Sequence, residues 1–457
     1  MNGMQPAHAH FIGIGGIGMS ALARLYLARG WRVSGSDLAR SEITDALRKE
    51  GIRVFIGHRR LNIAPAVTKI IRTIAVPKDN PELLQAKRRR IPSYSYAEAV
   101  GELSRKYKTI AVAGAHGKST TTALISLMLI KAGLDPTIII GAKLRELGNS
   151  NFRSGKSKFL VLEADEYRAS FLHYHPEIAV ITNIDREHLD FYKNAKNIEA
   201  AFLKFLTHVR RGGLAVLNRD DPRVRGTAAR LRRAKPDIRI AWFSLESPLA
   251  QRIKRILKIP GKHNVANALA AHAVGRALEI PEKKILAALS SYRGAWRRFD
   301  YQGTFAGAKV IADYAHHPTE IKATLQAARE KFPQRRIWCV FQPHHYERTR
   351  DLFREFTAAF ANCDQLILLD IYEVAGREHA RSQSAVSSQK LAQAIAKRGV
   401  PASYLKNAAA LKSFLRQHLT KGDVLLMMGA GSIWEMTKKL MTNAKGRGTN
   451  ASAGFRR

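Results

Sequence analysis

The chain has 457 residues and carries 76 Lys and Arg against 37 Asp and Glu, a formal net charge of +39 at pH 7. This length exceeds what a single hydrophobic core supports, so several domains are expected. The sequence has no apolar run of 18 residues, which excludes a membrane-spanning helix, and its first residues lack the pattern of a signal peptide. Its two cysteines, Cys339 and Cys363, lie in apolar stretches, as is typical of buried thiols in a reducing cytoplasm. We therefore expect a cytoplasmic protein with no membrane partner. The oligomeric state stays open.

The positive charge attracts polyanions and anionic substrates, mostly within about 8 Å at physiological salt. Basic clusters at residues 87–90 and 230–235 could contact nucleic acid. The chain has no basic stripe with interleaved aromatic residues and no known nucleic-acid-binding module. We interpret the clusters as solvated faces, and nucleic acid is not an expected partner.

The first segment, residues 1–105, opens with a predicted strand at 10–14, a glycine-rich turn, and a helix that runs to Gly30. A second strand at 31–34 ends at Ser36 and Asp37. Glycines in such a turn let a diphosphate approach the backbone, and an acid about 20 residues further on meets a ribose or base. The pattern predicts a Rossmann-like domain. A nicotinamide dinucleotide and any other diphosphate-linked nucleotide fit it equally well.

The second segment, residues 106–294, contains the sequence TIAVAGAHGKSTTT at 109–122. A β-branched strand breaks at Gly114 and Gly117 and passes Lys118 into a predicted helix at 121–131. Backbone N–H groups and a helix N-terminus directed at one point suit a phosphate. In this arrangement Lys118 reaches the β- and γ-phosphates, and a following hydroxyl holds Mg²⁺. The usual first glycine is missing, so an ordinary strand-to-helix turn is the alternative.

Two further strands of this segment end in polar residues. One, at 159–162, stops at Glu163, and another, at 178–184, leads to His188. Continuous apolar strands of this kind are typical of a parallel sheet, whose ligands bind at the carboxyl ends of the strands. The phosphate loop, Glu163 and His188 are therefore predicted to converge on Mg²⁺ or Mn²⁺ and ATP phosphates. Each residue alone could instead be a cap or a surface group.

The third segment, residues 295–443, again alternates short apolar strands with helices. Polar residues gather at its predicted strand ends, notably Asp313, His316 and Arg348. The apolar pattern fades beyond, and residues 444–457 are predicted to form a disordered basic tail. We expect another α/β domain followed by this tail.

Taken in order, the motifs of the chain resemble those of the Mur ligases. The matching stretches cover nearly the whole chain and are HFIGIGGIGMSALA, GAHGKSTTT, EADE, TNIDREHLD, GKHNVANALAA, RRF, DYAHHPTE and FQPHHYERTRDLF. The resemblance implies three α/β domains: a UDP-sugar-binding Rossmann-like domain at 1–105, a central parallel-sheet P-loop ATPase domain at 106–294, and a Rossmann-like ligase domain at 295–443.

The resemblance also implies an activity. It is that of an ATP-dependent, ADP-forming ligase that joins L-alanine to the carboxylate of UDP-N-acetylmuramate through an acyl phosphate, with ATP and Mg²⁺ or Mn²⁺ as cofactors. Three alternatives remain: a ligase that attaches a preformed peptide to the same sugar, a basic nucleic-acid-binding ATPase, and a nicotinamide dehydrogenase.

The residues that the resemblance implies fall into four groups. The implied catalytic residues are Lys118, Arg298, Asp313, His316 and Arg348, with His317 as a further candidate. The implied ATP-binding residues are Gly114, His116, Gly117, Lys118, Ser119, Thr120, His263, Asn264 and Asn267. The implied UDP-sugar-binding residues are Gly13, Gly15, Gly16, Gly18, Ser36, Asp37 and Thr73, with 79–82 as a further substrate-facing stretch. The implied metal ligands are Ser119, Thr120, Glu163 and His188.

Some of these assignments have structural alternatives. The two asparagines could cap helices, and either His316 or His317 could be a packed histidine. His345 stands where the related ligases usually carry arginine, in a stretch linked to the carboxylate of the incoming amino acid. The stretch between Asp221 and Gly261 is shorter than is typical of the family, so edge strands of the central domain could be missing.

Overall fold

The computed structural model describes residues 6–373, 386–406 and 408–445. They divide into two compact units. The first contains the residues up to Leu257 together with Val265–Tyr292, and the second contains Lys258–Asn264 together with the residues from Arg293 onward. Within the described part of the chain, no helix is long and apolar enough to span a membrane.

The first unit begins with a five-stranded sheet in the order β3-β2-β1-β4-β5, with every pair parallel. Its strands are β1 His8–Ile12, β2 Arg32–Asp37, β3 Arg53–Ile56, β4 Val67–Arg72 and β5 Ser93–Ser95. Its helices are α1 Ile17–Ala28, α2 Glu42–Lys49, α3 Pro81–Arg88 and α4 Tyr96–Lys106. The order reverses at β1, and the glycine-rich turn between β1 and α1 lies at the carboxyl end of that strand. This is where an open α/β sheet binds its ligand.

The same unit contains a seven-stranded sheet in the order β12-β11-β10-β6-β9-β7-β8. Its strands are β6 Lys108–Ala113, β7 Thr137–Leu144, β8 Ser150–Arg153, β9 Phe159–Glu163, β10 Ile178–Ile181, β11 Leu214–Asn218 and β12 Arg239–Phe243. Its helices are α5 Lys118–Ala132, α6 Leu189–Tyr192, α7 Ala195–Thr207, α8 Pro222–Ala234, α9 Pro248–Ile256, α10 Lys262–Ala277 and α11 Glu282–Ser291. The first residues of α10 belong to the second unit. The sheet is parallel except for the β7–β8 hairpin, and the short stretch after Asp221 supplies the edge strand β12.

One apolar core joins the two sheets of the first unit. In the central part, Phe171 stacks on Phe205 with ring centroids 4.8 Å apart and meets Phe202 edge-on at 5.2 Å. The strands β6, β9 and β10 are almost fully buried, as expected for strands covered on both faces. Their rigidity fixes the positions of the loops that follow them.

The second unit is built on a six-stranded sheet in the order β13-β14-β18-β15-β16-β17. Its strands are β13 Asp300–Phe305, β14 Ala308–Asp313, β15 Ile337–Phe341, β16 Gln365–Leu368, β17 Ala402–Tyr404 and β18 Val424–Met428. Its further helices are α12 Pro318–Lys331, α13 Tyr346–Asp351, α14 Phe353–Thr357, α15 Ser388–Ala396, α16 Ala408–His418 and α17 Ile433–Lys445. Only the β13–β14 pair is antiparallel. Alternate strand residues enter two apolar clusters, so both faces of the sheet are covered.

The predicted α/β class with parallel-rich sheets is confirmed, but several boundaries were wrong. β1 and β2 are displaced by two and one residues at their starts, and α1 ends at Ala28 rather than at Gly30. α17 continues to Lys445, so the first residues of the predicted tail are helical. The rest of that tail, residues 446–457, lies outside the described residues. The domain boundaries drawn from the sequence stay a prediction.

Candidate active site

The phosphate loop connects β6 to α5 and contains two glycines with left-handed backbones. Gly114 has φ 134° and Gly117 has φ 83°, which L-residues with a side chain rarely adopt. A Cβ atom at Gly114 would lie 2.0 Å from Oγ1 of Thr182, and one at Gly117 would lie 2.4 Å from Oδ1 of Asn267. The loop therefore requires glycine at both positions, and Asn267 lies against it.

The helix after this loop begins at Lys118, three residues earlier than predicted. Ser119 and Thr120 consequently lie in its first turn, where they are 6% and 7% exposed. The run of β-branched threonines has low helix propensity, which made the start hard to locate from sequence. No side chain caps the helix at Gly117, so the first N–H groups of α5 can serve an anionic ligand.

His116 attaches the loop to the end of β10. Its backbone N–H donates to Oδ1 of Asn183 at 2.9 Å, and its Nε2 is 2.9 Å from Oδ2 of Asp185. Oγ1 of Thr182 donates in turn to the carbonyl of His116 at 2.6 Å. The loop is thus held by the neighbouring strand end from both sides.

Lys118 is paired with Glu166. The Nζ atom of the lysine lies 2.8 Å from Oε2 and 3.1 Å from Oε1 of Glu166, and it donates to the carbonyl of Gly114 at 2.8 Å. Burial alone would lower the pKa of Lys118, but the charges of Glu166, Asp165 and Glu163 outweigh burial and raise it. The lysine is therefore charged at neutral pH. Sequence reasoning assigned no role to Glu166, although it ends the EADE motif.

Carboxylates and an imidazole gather beside this lysine. Ligand atoms of Asp165, Glu166 and His188 all lie within 4.8 Å of one another, and Nε2 of His188 is 3.7 Å from Oε1 of Glu166. His188 has φ 55°, a strained backbone for a residue with a side chain. Oxygen ligands with one imidazole suit Mg²⁺ or Mn²⁺.

The predicted metal ligands lie near Lys118, together with two carboxylates that the sequence analysis did not assign to the metal. Oε1 of Glu163 accepts a hydrogen bond from the backbone N–H of Gly141 at 2.7 Å, and its charge acts on Lys118. His188 is close to Glu166 and Asp165, which were not predicted as ligands, and Ser119 and Thr120 lie in the first turn of α5.

The predicted residues of the first glycine-rich turn each have different neighbours. Gly15 donates its N–H to Oδ2 of Asp37 at 2.8 Å. A Cβ atom at Gly13 would lie 2.4 Å from Cγ2 of Thr73, and one at Gly18 would lie 3.0 Å from the hydroxyl of Tyr96. Gly16 is the N-cap residue of α1, with no side-chain capping bond. The turn thus presents the helix N-terminus and is lined by Thr73 and Tyr96.

The substrate-facing assignment of Ser36 and of Glu82 stays a prediction, and their side chains contact each other inside the domain. Both are 0% exposed. The hydroxyl of Ser36 donates to Oε2 of Glu82 at 2.6 Å, and Nδ2 of Asn62 donates to Oε1 at 2.6 Å. Burial raises the pKa of Glu82, but the nearby imidazole of His10, 3.6 Å away, and the hydrogen bonds from Ser36 and Asn62 outweigh burial and lower the pKa overall. These residues fix the end of β2 from inside the domain.

In the second unit, Asp313 organises the segment that contains Arg298. Its carboxylate accepts hydrogen bonds from the N–H groups of Phe299 at 2.7 Å and of Ala315 at 2.8 Å. Burial raises the pKa of Asp313 against the opposing charge of Arg298. The guanidinium of Arg298 lies 4.7 Å from the centroid of the Tyr314 ring. Asp313 is buried, and its bonds hold the backbone beside Arg298.

His316 and Arg348 lie in one cluster at the carboxyl end of this sheet. The ring of His316 is 5.9 Å from that of His344, and Nη1 of Arg348 is 3.3 Å from Nδ1 of His344. His344 stacks on Tyr372 with centroids 5.5 Å apart and an interplanar angle of 12°. This aromatic and basic cluster was only partly predicted, because His344 and Tyr372 were not singled out.

Four other predicted or questioned residues of the second unit differ in their burial and contacts. His317 is 3% exposed and caps α12, accepting from the N–H of Thr319 at 3.3 Å. Nδ2 of Asn264 donates to the carbonyl of Pro260 at 2.6 Å, whereas His263 is exposed. His345, with φ 79°, is 8% exposed at the start of α13.

Comparisons with known proteins agree with these features. Three family models match in succession: "Mur ligase family, catalytic domain" over residues 8–108, "Mur ligase middle domain" over 112–275, and "Mur ligase, glutamate ligase domain" over 297–431. UDP-N-acetylmuramate–L-alanine ligase of Clostridium acetobutylicum is 41% identical over 95% of this chain and 97% of its own length. The enzyme of the same name from Geobacter sp. is 42% identical over 95% and 97%.

Solved structures extend the similarity to the fold. The UDP-N-acetylmuramate–alanine ligase of Thermotoga maritima superimposes with a TM-score of 0.79 at 28% identity, covering 96% of this chain and 99% of that one. A murein peptide ligase of Psychrobacter arcticus, at 22% identity, shares the fold with a TM-score of 0.69 over 98% and 100% of the two chains. With three family models in order and relatives above 40% identity over 95% of its length, the chain belongs to the Mur ligase family.

Proposed function

We propose that this protein joins L-alanine to the carboxylate of UDP-N-acetylmuramate in an ATP-dependent, ADP-forming reaction that supplies a peptidoglycan precursor. The observation that carries the proposal is the pairing of Lys118 with Glu166 at a glycine loop and helix N-terminus, in a chain whose relatives carry this activity in their names. No described feature favours a different class of function.

The chemistry explains why a nucleotide triphosphate is needed. A carboxylate is a poor acyl donor because its leaving group would be oxide. In the proposed first step, a carboxylate oxygen of the sugar acid attacks the γ-phosphorus of ATP, ADP leaves, and an acyl phosphate forms. The amine nitrogen then attacks the acyl carbon, phosphate leaves with the C–O electron pair, and the nitrogen loses a proton. The product is an amide.

Residues of the phosphate loop suit the first of these steps. It brings two anions together, so cationic groups must offset their repulsion. Lys118 is held charged by Glu166, and the uncapped first turn of α5 offers N–H donors. We propose that, when a triphosphate binds, Lys118 donates to phosphate oxygens instead of to the carbonyl of Gly114 and to Glu166. We propose that Asn267, which lies beside Gly117, contacts the nucleotide. We also propose that the first glycine-rich turn and the start of α1 bind the UDP diphosphate.

The acidic group beside Lys118 fits a divalent cation. Asp165, Glu166 and His188 offer ligand atoms within 4.8 Å of one another, and Glu163, Ser119 and Thr120 are the further ligands that we propose. When bound, Mg²⁺ or Mn²⁺ supplies charge neutralisation and orientation for phosphate oxygens. Before nucleotide binds, Glu166 holds the side chain of Lys118 against the phosphate loop.

The second step requires a neutral amine and a bound carboxylate of the incoming amino acid. Arg348 and Arg298 offer guanidinium groups for carboxylate or oxyanion oxygens. His316, whose Nδ1 lies 3.3 Å from Oε2 of Glu320, can accept a proton from the amine. We assign Asp313 to holding the backbone around Arg298, through its bonds to Phe299 and Ala315.

An amino-acid panel tests the proposal. The purified chain with ATP, Mg²⁺ and UDP-N-acetylmuramate should release phosphate with L-alanine, and the product mass should equal that of the sugar nucleotide plus alanine minus water. Glycine, L-serine and a preformed tripeptide serve as competing acceptors. Preference for the tripeptide would assign the chain to peptide recycling, and phosphate release that needs RNA but no amino acid would reject the ligase.

The two buried thiols are consistent with the cytoplasm as the proposed location.

A further inference from the structure

The β7–β8 hairpin of the first unit contacts elements on both sides. The strands β7 and β8 pair antiparallel, with Ile138 opposite Arg153 and Ile139 opposite Phe152. β7 also pairs with β9, the strand that ends at Glu163, and β8 is the edge of the sheet. The hairpin thus lies between the carboxylates near Lys118 and the domain that begins with the glycine-rich turn.

Asn151 anchors the hairpin to α1, the helix that starts at that turn. It is 2% exposed. Its Nδ2 donates to the carbonyl of Ile17 at 2.5 Å and lies 3.3 Å from Oγ of Ser20, and its Oδ1 accepts from Nη1 of Arg24 at 2.8 Å. The amide orientation is unambiguous because a flipped group would face a carbonyl with an oxygen and a guanidinium with an NH₂. Both donors of this buried amide and its oxygen are directed at the first two turns of α1.

Gly141 anchors the other side of the same hairpin. Its N–H donates to Oε1 of Glu163 at 2.7 Å, and a Cβ atom there would lie 2.7 Å from Oε2. A second contact, Lys143 to Glu42 at 3.6 Å, links β7 to the start of α2. A continuous chain of hydrogen bonds and strand pairing therefore runs from Ile17 to Glu163.

We propose that the β7–β8 hairpin is a positioning element that couples the diphosphate turn to Glu163, with Asn151 as its positioning residue. This inference rests on the proposed function. Binding of a diphosphate at the first turn of α1 orders the helix start that Asn151 contacts. The ordered hairpin then presents Gly141 to Glu163, so Mg²⁺ and nucleotide bind with a smaller loss of conformational freedom. By linkage, Mg·ADP tightens binding of the sugar nucleotide by the same factor.

The coupling is measured by isothermal titration of UDP-N-acetylmuramate into the full chain, with and without saturating Mg·ADP. We expect Mg·ADP to tighten sugar-nucleotide binding about 5- to 10-fold, the lower part of the usual range for coupled sites. Asn151→Ala should bring this ratio to about 1, while the dissociation constant for Mg·ADP alone changes less than twofold, relative to the unsubstituted chain. Glu50→Gln is the matched control, because Glu50 pairs with the same Arg24 at 2.7 Å without contacting Asn151. The control should keep the ratio.

Two further measurements guard against misfolding of the first variant. Arg24→Gln removes the partner of Asn151 Oδ1 together with the Glu50 pair that the control removes by itself, and it should lower the ratio partway. In the unsubstituted chain, UDP-N-acetylmuramate alone should increase hydrogen-exchange protection of residues 137–153. A ratio of 1 in the unsubstituted chain, an unchanged ratio in Asn151→Ala, or an equal loss in Glu50→Gln would overturn the inference and leave the proposed function intact. Failure of the unsubstituted chain to bind the sugar nucleotide would overturn both.

Discussion

Lys118 and Glu166 form an ion pair of 2.8 Å at the start of α5, with the lysine 17% and the glutamate 2% exposed. Because Glu166 is buried, its charge needs a cationic partner, which is Lys118 in this structure. The lysine that we assign to the phosphates therefore also neutralises a buried carboxylate, and the two roles share one Nζ atom. This links the charge state of the loop to the acidic cluster beside it.

Replacing Lys118 with Ala should reduce L-alanine-dependent phosphate release by at least about 100-fold, since it removes a preorganised cation from the transferring group. The substitution also removes the lysine partner of the buried Glu166, so the chain should lose on the order of 3 kcal/mol of unfolding free energy while still folding. Lys131→Ala, at the exposed C-terminal end of the same helix, is the control and should change neither quantity much. Turnover like that of the unsubstituted chain would reject the role of Lys118. Coupled phosphate assays and urea unfolding provide the two readouts.

Replacing Glu163 with Gln should raise the Mg²⁺ concentration for half-maximal activity about tenfold or more. The amide keeps a carbonyl oxygen for the Gly141 N–H but loses the charge that a divalent cation requires. Glu177→Gln provides the comparison, because Glu177 is paired only loosely with Arg210 at 3.9 Å on the surface. Titrating Mg²⁺ at saturating substrates measures the effect. Identical curves for the two variants would remove Glu163 from the metal site.

The stability of the folded chain should decrease as the pH falls from about 6.5 to about 4. Burial, followed by the charge of Arg105, lowers the pKa of His175 from 6.5 to about 4. Between these values the unfolded chain binds a proton that the folded chain does not, so unfolding becomes more favourable as the pH decreases. His8 is lowered to about 4 in the same way, by burial and then by Arg32.

His175→Gln should make this pH dependence shallower. The upper limit of the change is one proton, about 1.4 kcal/mol per pH unit, and the partly exposed ring of His175 reduces it. Urea unfolding of the two proteins at pH 7, 5.5 and 4.5 measures the slopes. Parallel curves for the variant and the unsubstituted chain would contradict the lowered pKa of His175.

Replacing Gly101 with Ala should destabilise the first unit by about 1–3 kcal/mol. The new Cβ atom would lie 2.6 Å from the carbonyl oxygen of His173, a backbone atom that cannot move aside easily. Gly226→Ala is a matched change within α8, where a Cβ atom meets nothing within 4 Å. It should stabilise the chain by about 0.5–1 kcal/mol through helix propensity. Thermal unfolding should therefore shift in opposite directions. A shift in the same direction for both would refute the clash.

Local sequence was sufficient to predict the elements whose signal is short-ranged. The apolar runs before Gly114, Glu163 and Asp313 predicted buried strands, and the glycines after them predicted turns, because strand burial and positive φ are properties of a few consecutive residues. Those predictions placed the phosphate loop and the carboxylates at strand ends, where the structure has them. The α/β class followed from the same alternation.

Which partner each polar side chain takes was decided only by the tertiary structure. Glu166 rather than Glu163 holds Lys118, Asp37 accepts from Gly15, and Ser36 faces Glu82 inside the domain. A polar residue after a strand can turn toward the open edge of the sheet or back toward a neighbouring helix. The choice depends on groups far away in sequence, 48 residues for Lys118 and Glu166, which approach only when the strands pack in their final order. The chain's local pattern thus determines where polar groups are available, and the packing of distant elements determines what each of them binds.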